Sequence, residues 1–191
     1  MLFTVYVSAL MVFGGLLGAV YSLELTDGLS VSGGAVAYAA TVMSILLLFV
    51  LERDVAVVRS MLIVVVLVNI FKFLVFLTVD AALETDGVMD PFGVADELFS
   101  VSARVVVVGG TLLAIELLAV VVVLEAVRRR VPDRMLPVAL GVVFVAVLAF
   151  DGLAFPVLAL PFGESLDAIE AGVGGKLLLA AGYAVPVTVF L

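Results

Sequence analysis

Apolar residues run along this chain in long unbroken stretches, parted by short clusters of acids, arginines, glycines and prolines. A helix needs roughly 20 mostly apolar residues to cross about 30 Å of hydrocarbon. In lipid every backbone amide needs an internal partner, so a spanning segment is a helix or part of a closed barrel. Barrel strands alternate apolar with polar side chains, and these runs do not alternate. The pattern predicts an all-α membrane protein, a six-transmembrane-helix bundle forming one domain over residues 1–191, with spans at 2–23, 29–51, 57–79, 99–124, 135–160 and 165–191. The breaks have chemical causes. Glu24 to Gly28 reads as an acidic turn, and Glu52-Arg53-Asp54 as a charged one. Asp80 to Glu97 reads as the longest loop, Arg128 to Arg134 as a basic connection containing Pro132, and Pro161, Gly163 and Glu164 as the end of the fifth span.

Basic residues in short loops set orientation. Arg53 and Arg59 flank the second-to-third connection, and Arg128, Arg129, Arg130 and Arg134 fill the fourth-to-fifth. The other three connections carry no lysine or arginine. Alternation then places both termini in the cytoplasm of a multi-pass plasma-membrane protein. The first apolar run lacks a basic segment before it, so it reads as a retained helix and not as a cleaved signal.

Composition narrows the chemistry. The chain is 65% hydrophobic, well beyond a soluble domain. It has no cysteine and no histidine, which removes disulfides, thiolate metal sites and the usual neutral-pH proton shuttle. No metal and no cofactor is expected. Neither is an enzyme, because there is no nucleophile–base set and no metal or phosphate-handling motif. The one basic run, at 128–130, is too short for a nucleic-acid surface. A net charge of −8 with the acids in loops fits a high-salt setting or simply a well-solvated outer face.

Charged and polar residues inside the apolar runs are the candidate chemistry, since each costs at least a few kcal/mol at mid-bilayer and usually faces a protein interior or a wet cavity. Asn69 and Lys72 are three apart and share a helix face. Two readings of Lys72 stand open: its stem snorkels to the outer headgroups, or it faces a ligand or an acidic partner. Arg104 follows Ser100 by four residues and reads as an interface anchor or a ligand donor. Glu116, mid-span, needs a proton or a partner; an interior lysine and a ligand are both open. Asp151 lies in the outer half of the fifth span and has no stem with which to snorkel. Lys176 follows Gly172, Gly174 and Gly175, where the helix surface is thin, and Asp151 and Glu116 are both candidate partners for it. Tyr38 and Tyr183 stack on a flat ligand or pack on a neighbouring helix.

These residues carry a resemblance. The stretch Asp151-Gly-Leu-Ala-Phe155, followed by Gly163, Lys176 and Pro186, resembles the last two helices of the vitamin-uptake-transporter group, which includes queuosine-precursor transporters. Ser102-Ala103-Arg104, opening a helix that ends at 128–130, resembles that group's fourth helix. The bundle is also similar to the substrate-binding subunits of energy-coupling-factor vitamin transporters. One departure is clear. Gly34 and Tyr38 echo the start of the group's second helix, but the position expected to hold its embedded acid is near Leu46, with Arg59 the remnant of a basic pair. That loss puts transport in doubt. The closest likeness is to vitamin-uptake-like sensor domains that precede cytoplasmic signalling modules in halophilic archaea.

The resemblance implies a sensory input domain that binds a small polar nucleobase- or vitamin-like molecule from the outer side, through Tyr38, Asn69, Lys72, Arg104, Asp151 and Lys176, with Glu116 structural or coupling. Transport of such a molecule and a purely structural anchor or dimerisation module are the alternatives. The expected partners are the ligand, the bilayer and a fused or associated cytoplasmic signalling module; a homodimer is left open. The apolar end at Leu191 leads to the expectation of a cytoplasmic continuation.

Overall fold

A computed structural model of the chain describes residues 2–26, 29–52, 54–85, 87, 103–159 and 165–190. The described residues form six α-helices and one antiparallel hairpin. They run α1 Leu2–Val20, β1 Ser22–Thr26, β2 Leu29–Ser32, α2 Gly33–Glu52, α3 Val55–Leu83, α4 Ala103–Arg130, a 3-10 turn Asp133–Met135, α5 Leu136–Ala159 and α6 Ser165–Phe190. Four of these helices, α2 to α5, contain stretches long and apolar enough to cross a membrane.

The hairpin is a departure from the expected spans. The edges placed at Leu23 and at residue 29 fall in strands, which pair Ser22 with Ser32, Leu23 with Val31 and Glu24 with Ser30, with a bulge before Thr26 and Leu29. The sequences SLELT and LSVS alternate polar with apolar residues, the two-residue period of a strand, and Asp27-Gly28 between them is a favoured hairpin pair. The backbone N–H of Gly33 donates to Tyr21 O at 3.1 Å and closes the hairpin's base. The Ser32 hydroxyl accepts from Ala35 N at 3.1 Å, capping the start of α2.

Three other edges move. Asp54 caps α3 by accepting from Ala56 N at 2.8 Å, so that helix starts at Val55. It continues through Asp80, the expected loop start, to Leu83, because Ala81-Ala82-Leu83 favour helix. Helix α4 runs past residue 124 to Arg130; Glu125 and Arg129 pair one turn apart at 2.5 Å, and the arginines suit the helix's negative end. The expected fourth-span start at 99–102, the break residues Pro161, Gly163 and Glu164, and Arg53 lie outside the described residues.

Helix α2 is central, packing on α1, α3, α5 and α6, while α1–α3, α3–α4, α4–α5 and α5–α6 are neighbours around it. Small residues set the α1–α2 crossing. A Cβ at Gly14 would stand 2.8 Å from Ala37 Cβ, and one at Gly18 would stand 3.3 Å from Gly34 Cα. Close backbone approach of this kind replaces the hydrophobic drive that lipid does not supply.

The packed core occupies the half of the bundle away from the hairpin. Its fully buried members include Ile45 and Leu46 on α2, Val58 and Val65 on α3, Leu117 and Leu124 on α4, and Phe144 and Leu148 on α5. Leu46, near which the resemblance leads one to expect an embedded acid, is thus a core residue. Outward faces carry exposed apolar side chains such as Ile63, Phe71, Leu118 and Val142, as a lipid-facing surface does.

Candidate functional site

The other half of the bundle is hollow. A cavity of about 640 Å³ lies between all six helices at the hairpin end, within the size range of small-molecule pockets. Each helix contributes the part nearest the hairpin: residues 10–18 of α1, 34–41 of α2, 69–76 of α3, 109–113 of α4, 151–156 of α5 and 172–176 of α6. Glycine makes the room. Gly15, Gly34, Gly109, Gly110, Gly152 and Gly175 all line the wall, and at each the helix surface lies back to its backbone.

Polar side chains converge on this space from several helices. Asp151 and Lys176 form an ion pair between α5 and α6, with side chains 13% and 12% exposed. Gly152 permits it, because a Cβ there would meet Val173 Cα at 3.2 Å and Lys176 Cδ at 3.4 Å. The Lys176 ammonium also sits 5.7 Å from the centroid of the Tyr38 ring, in reach of the ring's negative face. The Tyr38 hydroxyl in turn donates to Glu116 Oε2 at 2.5 Å. One chain of contacts therefore links α5, α6, α2 and α4. Phe155, one turn after Asp151, lines the cavity and packs its ring against Gly109.

This corrects the choice left open for Glu116. Its partner is Tyr38, not an interior lysine, and Asp151 takes Lys176. The spacing of charges along the chain could not rank these options, because a hydroxyl from α2 was the missing competitor. Glu116 is 3% exposed, and its Oε1 has no hydrogen-bond partner among the described residues.

Asn69 and Lys72 occupy the α3 wall. Asn69 Nδ2 donates to Val65 O at 3.2 Å, which uses one of its two amide hydrogens. Lys72 turns inward against α1, where a Cβ at Gly15 would lie 3.0 Å from Lys72 Cδ. Of its two open readings, the inward one matches this geometry. Arg104 stands in the first turn of α4, and its side chain lies outside the described residues. Tyr183 packs edge-on against Phe144 at 6.0 Å, in the core and away from the cavity.

Three serines of the hairpin region, Ser22, Ser30 and Ser32, also line the cavity. None of the three was among the residues expected to line a site. Their signal was the alternation of serine with apolar residues in SLELT and LSVS. The roof is held down on α6 by two glycines. A Cβ at Gly174 would stand 2.6 Å from Leu29 Cδ1, and one at Gly175 would stand 2.3 Å from the Ser30 carbonyl oxygen.

The described residues contain no group of three or more His, Cys, Asp or Glu that could hold a metal ion. The wall chemistry is that of hydrogen-bonding recognition: a carboxylate, two ammonium groups, an amide and hydroxyls around an apolar majority. Compared with known proteins, residues 1–191 match the family described as "Vitamin uptake-like sensor". No curated protein and no solved structure matches the chain.

Proposed function

The chain belongs to the vitamin uptake-like sensor family, and from that premise we propose that it is a ligand-sensing membrane bundle of six spans with both termini in the cytoplasm. The observation that carries this reading is the polar-walled cavity at the hairpin end, closed beneath by a packed apolar core. The basic residues Arg59, Arg128, Arg129, Arg130 and Arg134 fall at the start of α3, the end of α4 and the turn after it, away from the hairpin, which supports an outward-facing hairpin. A small polar molecule of nucleobase- or vitamin-like size enters from the outer side. Asp151 accepts from its N–H groups, Lys72 and Arg104 donate to its acceptor atoms, and the Tyr38 ring offers a stacking face. It is no enzyme in this segment; recognition is its chemistry.

Signalling follows from the α5–α6 ion pair. A ligand that engages Asp151 or Lys176 competes with their mutual contact and favours a different packing of α6 on α5. It shifts that equilibrium only by its difference in affinity for the two packings. Helix α6 then passes the change to a cytoplasmic signalling module, fused or associated. The core beneath the cavity favours sensing over transport, since alternating access needs an opening on both faces.

Two measurements test this. Purified protein in nanodiscs is expected to gain thermal stability with at least one member of a vitamin and nucleobase panel, by a few degrees at saturating ligand. Vesicles holding the protein are expected to accumulate none of that compound. Accumulation moves the protein to transport, and a flat response to the whole panel removes the ligand reading. For orientation, the chain's lack of cysteine makes single-cysteine labelling clean. A membrane-impermeant maleimide applied to intact cells is expected to label Glu24→Cys and to leave Arg134→Cys unlabelled until lysis; the reverse pattern inverts the topology.

A further inference from the structure

The cavity wall is unevenly charged. At the α5–α6 side Asp151 is matched by Lys176. Glu116 lies behind Tyr38 and is engaged by its hydroxyl. At the α3 side Lys72 has no carboxylate within ion-pair distance among the described residues. It is not directed along α3 toward a surface either: the Gly15 notch receives its stem, and a Cβ there would stand 3.4 Å from the ammonium nitrogen itself. A half-buried ammonium without a counter-charge is costly, and the cost is relieved when a partner brings one.

We infer that the ligand is a small ring-bearing monocarboxylate whose anionic end docks on Lys72 and Asn69. This rests on the cavity being the ligand site. Asn69 retains one amide hydrogen to share with the carboxylate. The ring then extends across the cavity to Tyr38 and the Asp151–Lys176 pair, which receive its polar edge. A phosphate monoester carries roughly −1.5 to −2 charges at neutral pH, more than the one unmatched ammonium among the described side chains offsets. A neutral ligand leaves that ammonium unmatched.

The test uses matched acids and primary amides: benzoate with benzamide, nicotinate with nicotinamide, and purine-6-carboxylate with its amide. Each is titrated calorimetrically into the full chain in phosphatidylcholine nanodiscs. Wild-type protein is expected to bind the acid about tenfold or more tightly than the amide in at least one pair, as a charge-assisted bond in a shielded site provides. Lys72→Met removes this preference, and Lys72→Arg keeps it. Both variants retain a long side chain over Gly15, so the bundle stays folded. Amides that bind as well as acids, with Lys72→Met unchanged, overturn the monocarboxylate while leaving the cavity a ligand site. Failure of every acid and every amide overturns both. Displacement of a bound acid by phosphatidylglycerol reassigns Lys72 to a lipid headgroup and also overturns the inference.

Discussion

Replacing Asp151 by alanine is expected to destabilise the bundle by about 3–5 kcal/mol, the usual cost of stranding one member of a buried ion pair. Both side chains are largely buried, at 13% and 12% exposure, so solvent reaching them through the cavity softens the loss only in part. The double variant Asp151→Leu, Lys176→Met removes both charges and fills their space. It is expected to be as stable as the parent or more so by about 1–4 kcal/mol. Denaturation followed by circular dichroism in detergent checks both. The contrast separates two roles that the single variant confounds. If the pair is part of a binding site, the double variant folds well and fails to respond to ligand. If it only holds α5 to α6, the double variant responds as the parent does. An Asp151→Ala protein that melts with the parent shows that Lys176 finds other compensation, and the proposed signalling contact between α5 and α6 is then lost.

The second large effect is expected at Gly175. A side chain there would put its Cβ 2.3 Å from the Ser30 carbonyl oxygen, a backbone atom that cannot swing aside. Gly175→Val is therefore expected to push the hairpin off α6, at a cost of about 1–3 kcal/mol, as overpacking does elsewhere. Gly182 on the same helix meets nothing within 4 Å, so Gly182→Val is the control and should melt like the parent apart from a small propensity gain. The roof can be read directly: a cysteine placed at Ser30 should react faster with a maleimide in the Gly175→Val background than in the parent. Equal rates in the two backgrounds show that the hairpin does not depend on this contact, and the cavity's roof needs another account.

The two expectations meet at α6. The same helix carries Lys176 to the ion pair and Gly175 to the roof, on adjacent residues. A movement of α6 that breaks one contact loads the other, and in the proposed sensing role this couples ligand entry under the hairpin to a shift at the far end of α6.

Much of this architecture was visible in residue order. Uninterrupted apolar runs identified helices, because lipid forbids unpaired backbone and these runs lack strand alternation. The arginines of the second-to-third and fourth-to-fifth connections pointed to one face. Interior charges marked out Lys72, Asp151 and Lys176 because burial makes such residues expensive, and all three line one cavity. The hairpin was hidden for a physical reason. Leu23, Leu25, Leu29 and Val31 are as apolar as the helices they adjoin, so hydropathy merged them with the spans, and only their period-two alternation with serine, glutamate and threonine distinguished them.

What residue order determined by itself is the helical membrane character and the set of side chains too costly to leave in lipid, because backbone satisfaction and desolvation act locally and need no knowledge of neighbours. Which of those side chains meet was decided only by tertiary packing. Glu116 pairs with Tyr38 because α2 is wedged at the centre of the bundle, and Asp151 reaches Lys176 because Gly152 lets α6 come close. The cavity is likewise a tertiary product, since it exists where glycines from different helices face one another, and no single helix records which face its neighbours will present.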